Sequence, residues 1–434
     1  MSKRVLIIGG GVIGLSCAYY AAQRGYQVTV IDRNPKERNG CSFGNAGMIV
    51  PSHFVPLAAP GMVALGLKWM WNPESPFYIR PRLNLELFSW AYRFWRAANA
   101  DQVANAAPLL RDLSFASRNC FEELADANAG LGDFGLVKRG LLMLCQTAHT
   151  LEEEAHFAAR ARELGVPTEV LDAKQTAALD PGITMNVAGS VFFPKDAHLA
   201  PNRFMSELQA GCERLGVNFR WNSEVAGIRL GRGRLEAVNV KSAAQGSATT
   251  VPDQALPLEI EADEFVVAGG AWSPSFANEL GLNLPMQAGK GYSLTLNKPP
   301  QLPQLCSILT EARVAVTPMG TSLRIGGTME LDGLNEEINP RRVSGIIRSA
   351  QRYFPKFSEA DFQGIAPWRG LRPCSPDGLP YLGRPERYSN VTLATGHAMM
   401  GLSLGPITGL IVAKIIDQEP AGFDLSLLSP DRFA

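Results

Sequence analysis

The chain has 434 residues, 46% of them apolar and 19% charged, with 41 Lys plus Arg set against 41 Asp plus Glu. Such a length holds two or three structural units with a large core and needs no disulfide or metal staple. The balanced charge gives no electrostatic reason for a polyanionic partner, which argues against nucleic acid. The 7 cysteines are scattered, with no CxxC or Cys/His ligand spacing. They read as inert thiols in a reducing compartment, with neither a disulfide framework nor a metal site.

Residues 4–8 and 28–31 are short apolar strands, with a helix from Val12 to Arg24 between them and Gly25 as its C′ residue. Lys3 and Arg4 before an apolar run look like a secretion signal. Gly9, Gly10, Gly11 and Gly14 interrupt that run, and a βαβ unit explains it better. No other uninterrupted apolar stretch reaches the ~18 residues of a spanning helix. Residues 54–130 pass from a Pro-punctuated aromatic region into long helical patterns. Phe88, Tyr92 and Trp95 share one helix face. That face reads as core packing or, in a sharper reading, as a peripheral membrane or partner surface. The apolar, aromatic Met62–Trp71 stretch adds weight to the second. Helices are predicted over 151–165 and 201–216, then strands at 218–221, 224–230 and 234–240 and a long hairpin loop at 241–257. A buried strand follows at 265–268, antiparallel alternation over 286–328, a helix over 340–353, a strand at 391–394 and a last helix from Ile407 to Asp417. No internal repeat is visible.

Three segments carry chemistry. Gly9, Gly11 and Gly14 fit GxGxxG: one glycine for the tight turn, one for backbone approach to a pyrophosphate, one for close helix–strand packing. Val12 and Ile13 fill the two positions before the last glycine, at the helix start, and belong to the expected cofactor contact. That helix start offers N–H groups and a positive dipole end to phosphates. Asp32 ends the second strand, where an acid bonds ribose hydroxyls. This first motif means only a dinucleotide. The second segment is the apolar strand running into Ala268, Gly269, Gly270 and Trp272. The third runs from Gly396 through His397, Met399 and Met400 to Gly401 and the last helix, where small residues admit close approach to a flavin. The second and third segments resemble flavoprotein signatures, and the three in this order point to FAD.

With these segments in place, the chain resembles the D-amino acid oxidase superfamily of flavoproteins, and more closely the small-subunit-like D-amino acid dehydrogenases. The residues carrying the resemblance include Ser42–Met48, Gly289–Leu294, Gly370–Pro373, Ser375–Pro380 and Gly396–Gly401. The same pattern is similar to glyphosate-type and glycine- or sarcosine-type amine oxidoreductases. The resemblance implies an α/β (α+β overall) fold: a Rossmann-like FAD-binding domain with an inserted antiparallel-sheet substrate domain. The implied cofactor domain is discontinuous, at 1–50, 195–285 and 366–434, with the substrate domain at 51–194 and 286–365.

The implied activity is oxidative deamination of D-amino acids, with hydride passing from Cα to flavin N5 and an imine hydrolysing to a 2-oxo acid and ammonia. Electrons pass to a quinone or to O₂. The alternative is a glycine-like or secondary amino acid such as D-hydroxyproline or sarcosine. An NAD dehydrogenase is disfavoured, because a second mid-chain dinucleotide motif is missing and the later flavin signatures are present.

The resemblance gives Arg372 to the substrate carboxylate, a task that suits a bidentate guanidinium. Tyr292 is a second carboxylate or pocket-wall candidate, Arg324 flanks the flavin or serves a salt bridge, His53 lines the pocket, and Trp368 helps cover it. Arg33, Ser42, Asn45, Ala46, Gly47, Met48, Val225, Leu402 and Ser403 complete the implied cofactor set, together with Arg372. Non-covalent FAD is expected: cysteinyl-flavin relatives place their Cys where this chain has Gly370, and no His stands at the histidyl-flavin position. The expected location is cytoplasmic, with peripheral contact at the inner membrane in the sharper reading of the aromatic region.

Overall fold

The structure is a computed structural model that describes residues 2–70, 72, 74–126, 130–243 and 258–434. The predicted hairpin loop lies outside the described residues from 244 onward.

A six-stranded sheet grows from the first βαβ unit. Arg4–Ile8 lies between Gln27–Ile31 and Glu264–Val267, all parallel. Asn218–Arg220 extends one side, and Val391–Thr395 with antiparallel Tyr381–Gly383 extends the other. Parallel strands buried on both faces read as continuous apolar runs, which is why VLII and FVV are visible in the sequence. The Val12–Gln23 helix crosses between the first two strands and closes at Arg24 and Gly25, whose φ is 81°.

The last helix differs from expectation. It spans Gly401–Ile416 and so begins before Ile407. Gly405 and Pro406 read as loop residues, but Gly405 faces Val12, and a Cβ on Gly409 would collide with the Ser16 backbone. Small residues here serve close helix–helix packing. The stretch Ala398–Ile416 is long and apolar enough to cross a membrane by composition, yet 67% of its apolar window is buried inside the fold.

A nine-stranded sheet forms the second layer. Its order is Trp368–Cys374, Gln287–Leu296, Ser322–Leu331, Val314–Met319, Cys306–Leu309, Leu141–Cys145, Gly189–Phe193 and Glu169–Asp172, with Phe77–Ile79 paired beside the far end of Ser322–Leu331. The Trp368–Cys374 strand, which sequence groups with the third cofactor segment, is an edge of this sheet. A separately hydrogen-bonded three-stranded sheet at Ser223–Gly231, Arg234–Ser242 and Leu258–Glu261 shares one apolar cluster with the six-stranded sheet. A two-stranded pairing joins Met48–Ile49 to Ala197–His198.

The aromatic stripe is where packing overrules the sequence reading. The Leu85–Ala97 helix is capped by the Asn84 side chain and buries Leu87 and Trp90. Trp90 Nε1 donates to the Cys374 carbonyl at 2.9 Å. Phe88, Tyr92 and Trp95 lie on the other side, 57%, 58% and 61% exposed. They are not core. Leu83 and Leu85 are exposed beside them in sequence, and Leu67 is exposed on the separate Met62–Met70 helix.

Candidate active site

A cleft of about 320 Å³ opens at the carboxyl ends of the central parallel strands, where ligands of such sheets bind. Its floor is the glycine turn. Gly9 has φ 112° and donates its N–H to the Ile31 carbonyl. A Cβ on Gly14 would collide with the Gly9 carbonyl, so the third glycine acts from beneath. Gly11, Val12 and Ile13 line the cleft at the helix start, as the motif predicts. Val12 is buried, while Ile13 is partly buried and packs against the main core. No acid stands in the first turn of the Val12–Gln23 helix, and its Gly11 cap makes no side-chain bond. Ser42 Oγ reaches this helix start instead, accepting from Val12 N–H at 2.9 Å.

Asp32 is held by three donors: Gly10 N–H at 2.7 Å on one oxygen, and the N–H and side-chain amide of Asn34 on the other. Arg33 stacks 3.8 Å from the Trp272 ring centroid, and both line the cleft. Val225, Ala268, Gly269, Gly270, Asn45, Gly401 and Leu402 line it too, as does His397. His397 is 3% exposed; its Nε2 meets Thr408 Oγ1 at 3.0 Å while Nδ1 has no partner among the described residues. Burial pushes its pKa down to about 3, which leaves a neutral ring.

Other expected cofactor residues stand one step back. Gly47 packs against the Leu199 carbonyl, with Ala46 partly buried before it. Met48 pairs with His198. Ser403 Oγ accepts from Val50 N–H within the core. Gly396 turns with φ 78° under Tyr381. Met400 caps the last helix, and Met399 is 47% exposed.

Sequence reasoning missed Arg38. This 7%-exposed guanidinium donates twice to the Gly10 carbonyl, at 2.9 and 2.7 Å, once to Gln209, and stacks on Trp221. It braces the glycine turn and lines the cleft. Nothing in its local sequence marks it, because apart from the Lys36 carbonyl its partners lie in other elements.

The nine-stranded sheet meets this cleft through the 41–47 loop. Arg324 donates to the carbonyls of Phe43 and Asn45, both at 2.8 Å, and Ser293 Oγ to that of Gly44 at 3.2 Å. Arg324 has no ion-pair partner among the described residues and does not line this cleft. It therefore fastens the loop rather than serving a salt bridge. Trp368 lies flat on Gly44, where a Cβ would collide with its ring, and Nε1 donates to the Asn39 carbonyl at 3.2 Å.

Arg372 is half-buried on the same sheet face; it does not itself line the cleft, but it lies close enough to Cys41, which does, to act on its charge. Its one bond is from Nη1 to the Thr328 carbonyl at 2.8 Å, and no carboxylate pairs with it among the described residues. Tyr292 turns the other way. It is 1% exposed, and its hydroxyl is committed to the Glu330 carboxylate and to Asn339 N–H. The carboxylate role expected of it is closed by that geometry. His53 lies outside the cleft lining, with Nδ1 at 2.9 Å from Ser52 Oγ, and burial pushes its pKa down to about 4.

These features fit a dinucleotide with an attached ring system: a glycine cradle, a helix start free of acids, an acid at the ribose position and a second helix start at Gly401. The FAD dependent oxidoreductase family model, DAO, matches residues 4–415. A D-amino acid dehydrogenase of Helicobacter pylori is 31% identical over 416 residues, covering 96% of this chain and 95% of that protein. One from Methylobacterium nodulans is 33% identical over 421 residues, with 95% of each covered. Among solved structures, glycine oxidase from Geobacillus kaustophilus superposes with a TM-score of 0.75 at 23% identity over the whole of both chains. L-proline dehydrogenase from P. horikoshii gives 0.72 at 15% identity, covering 100% of this chain and 98% of that one. At those identities the structures speak for the fold.

Proposed function

The chain belongs to the DAO family of FAD-dependent oxidoreductases, and on that footing we propose that it oxidatively deaminates D-amino acids and passes the electrons to a quinone or other acceptor. The observation that carries the reading is Arg372: a guanidinium beside the cleft with no acidic partner among the described residues. A carboxylate is the group such a fork takes best.

Arg372 binds the carboxylate and so fixes where the substrate Cα–H points. FAD, when bound, supplies the two-electron acceptor that receives the hydride. Arg324, Ser293 and Trp368 hold the 41–47 loop against the sheet and exclude water from that side. No base is required if the amine binds neutral, because its lone pair drives the oxidation. The buried histidines His53 and His397 stay neutral, with pKa values pushed down to about 4 and about 3. The resulting imine hydrolyses to 2-oxo acid and ammonia.

FAD is held non-covalently in this reading. Cys374 is fully buried and its thiol is pushed up to about 12, while burial also raises Cys41 in the cleft; neither gives the thiolate that attachment needs. The cofactor half comprises 1–50, 195–285 and the chain after the Trp368–Cys374 strand, and the substrate half the remainder. The exposed Phe88, Tyr92 and Trp95 face, with Leu85 on the same helix, supports a cytoplasmic protein in peripheral contact with the inner membrane. Trp95→Glu with Phe88→Glu then moves it from the membrane fraction to the soluble one; an unchanged distribution removes that contact.

The decisive experiment is anaerobic mixing of holoenzyme with D-amino acids, including D-proline and D-hydroxyproline, beside glycine and sarcosine. Bleaching of the flavin band by D-amino acids supports the proposal, and no bleaching across the panel overturns it. Peroxide formation in air separates O₂ from a quinone or dye as acceptor.

A further inference from the structure

Alternate residues of the Gln287–Leu296 strand face opposite sides of the nine-stranded sheet. Tyr292 faces inward, in one apolar cluster with Val343 and Ile346 of the Pro340–Tyr353 helix. Gly289 and Gly291 face the other way, toward Cys374 and Arg372. The strand register pairs Arg372 with Gly289, so its side chain lies diagonally across Gly291. A Cβ on Gly291 would collide with both terminal nitrogens and the central carbon of the Arg372 guanidinium, and those are its three nearest atoms. Gly291 is not in the left-handed region, so no turn demands a glycine there. What it leaves free is the place of the guanidinium.

The neighbouring Ser322–Leu331 strand supplies the second half of the seat. Its register with Gln287–Leu296 breaks between Lys290 and Tyr292. Near that break Thr328 has φ 71°, a region where β-branched residues are outliers. Such outliers persist where the surrounding structure imposes them, and they gather at functional sites. Here the Thr328 carbonyl receives the Arg372 Nη1 donor at 2.8 Å.

We infer that Gly291 and Thr328 are positioning residues that seat Arg372 for a substrate carboxylate. The glycine lets the guanidinium lie flat on the strand, and the carbonyl takes one of its five donors, which leaves the others for ligand. The inference rests on the assignment of Arg372 as the carboxylate anchor.

The test is a double-mutant cycle on holoenzyme, with benzoate binding read from the flavin spectrum and KM for D-alanine measured beside kcat. Arg372→Met is expected to raise the benzoate Kd roughly 10- to 100-fold, as for loss of a charge-assisted bond. Gly291→Ala is expected to raise it about tenfold or more in the Arg372 background, with KM rising more than kcat falls. In the Arg372→Met background Gly291→Ala is expected to change nothing, because the colliding group is gone. No effect of Arg372→Met sinks the anchor assignment itself. A clear effect of Arg372→Met with none from Gly291→Ala sinks the seat alone. Loss of FAD or of thermal stability on Gly291→Ala in both backgrounds assigns the glycine to sheet packing and also overturns the inference. Instability that Arg372→Met relieves supports it. Thr328→Gly keeps the carbonyl and relieves the backbone, so it is expected to fold and to raise KM less than Gly291→Ala does. An increase larger than that from Gly291→Ala contradicts the assigned roles.

Discussion

The two sheets approach the cleft by different chemistry. The six-stranded sheet presents backbone: the glycine turn, two helix starts, and N–H and carbonyl groups braced by Asp32 and Arg38. The nine-stranded sheet presents side chains, with Arg324 and Ser293 fastening the 41–47 loop and Arg372 left with spare donors. A backbone site fails when bulk is added, because the ligand and the fold need the same space. A side-chain site fails when a group is removed, and the fold survives. The contrast predicts opposite signatures for mutations on the two sides.

The largest effect belongs to the backbone side. Gly14→Ala places a methyl against the Gly9 carbonyl, and neither group is the movable end of a side chain. Overpacking of this kind costs about 1–3 kcal/mol or more, here at the phosphate cradle itself. The expected product carries no FAD, read as loss of the flavin absorbance after purification. A yellow, active Gly14→Ala enzyme breaks the comparison. Arg372→Met comes next and tests the other side. It is expected to lower kcat/KM by roughly a hundredfold while FAD content and melting temperature stay near the parent values. Loss of FAD would make Arg372 part of the backbone cradle after all.

Arg324→Met lies between the two behaviours. It removes two charge-assisted bonds to the Phe43 and Asn45 carbonyls and leaves them without that donor. A stability loss of about 2–3 kcal/mol is expected, with FAD affinity down about tenfold and KM changed less. Burial already holds the Arg324 pKa down to about 10, a sign that this guanidinium is anchored by dipoles and not by a counter-charge. A rise in KM with unchanged FAD affinity would place it beside Arg372 instead.

The same contrast explains what is legible in the sequence. Gly9, Gly11, Ile13, Gly14 and Asp32 act within one βαβ unit, so their spacing alone describes their job. Arg324 and Phe43, or Tyr292 and Glu330, meet only through folding. Side chains on one strand also alternate, so Tyr292 and Gly291 in one short motif serve opposite faces. The stripe at Phe88, Tyr92 and Trp95 misleads for a related reason. Helical periodicity reports that a face is apolar, and it does not report whether anything covers that face. The Gly401–Ile416 helix misleads in the opposite sense, because Gly405 reads as a loop residue where it marks close packing on Val12.

The smallest expected effect on turnover and FAD binding concerns the seam between the sheets, where the change is read in stability. Asp196 sits where the chain leaves Gly189–Phe193 of one sheet and heads for Pro201–Arg214 beside the other. It is fully buried, and its oxygens accept from Ser52 N–H at 3.1 Å and Ser52 Oγ–H. Burial outweighs those bonds and pushes its pKa up to about 7. A carboxyl whose folded pKa lies above its unfolded value of about 3.9 favours the fold while the folded form keeps the proton. That contribution is complete below about pH 4 and is lost as pH rises to about 7. Asp196→Asn keeps an acceptor for Ser52 and cannot ionise. The difference in melting temperature, variant minus parent, is therefore expected to grow from pH 4 to pH 7 and then level off. His53 and His397, with folded pKa values of about 4 and about 3 against an unfolded value of about 6.5, make both proteins more stable as pH rises towards about 6.5, and that shared slope cancels in the difference. A difference that stays constant with pH would mean that Asp196 is ionised throughout. The seam would then be held by a buried charge and not by a neutral hydrogen-bonded pair.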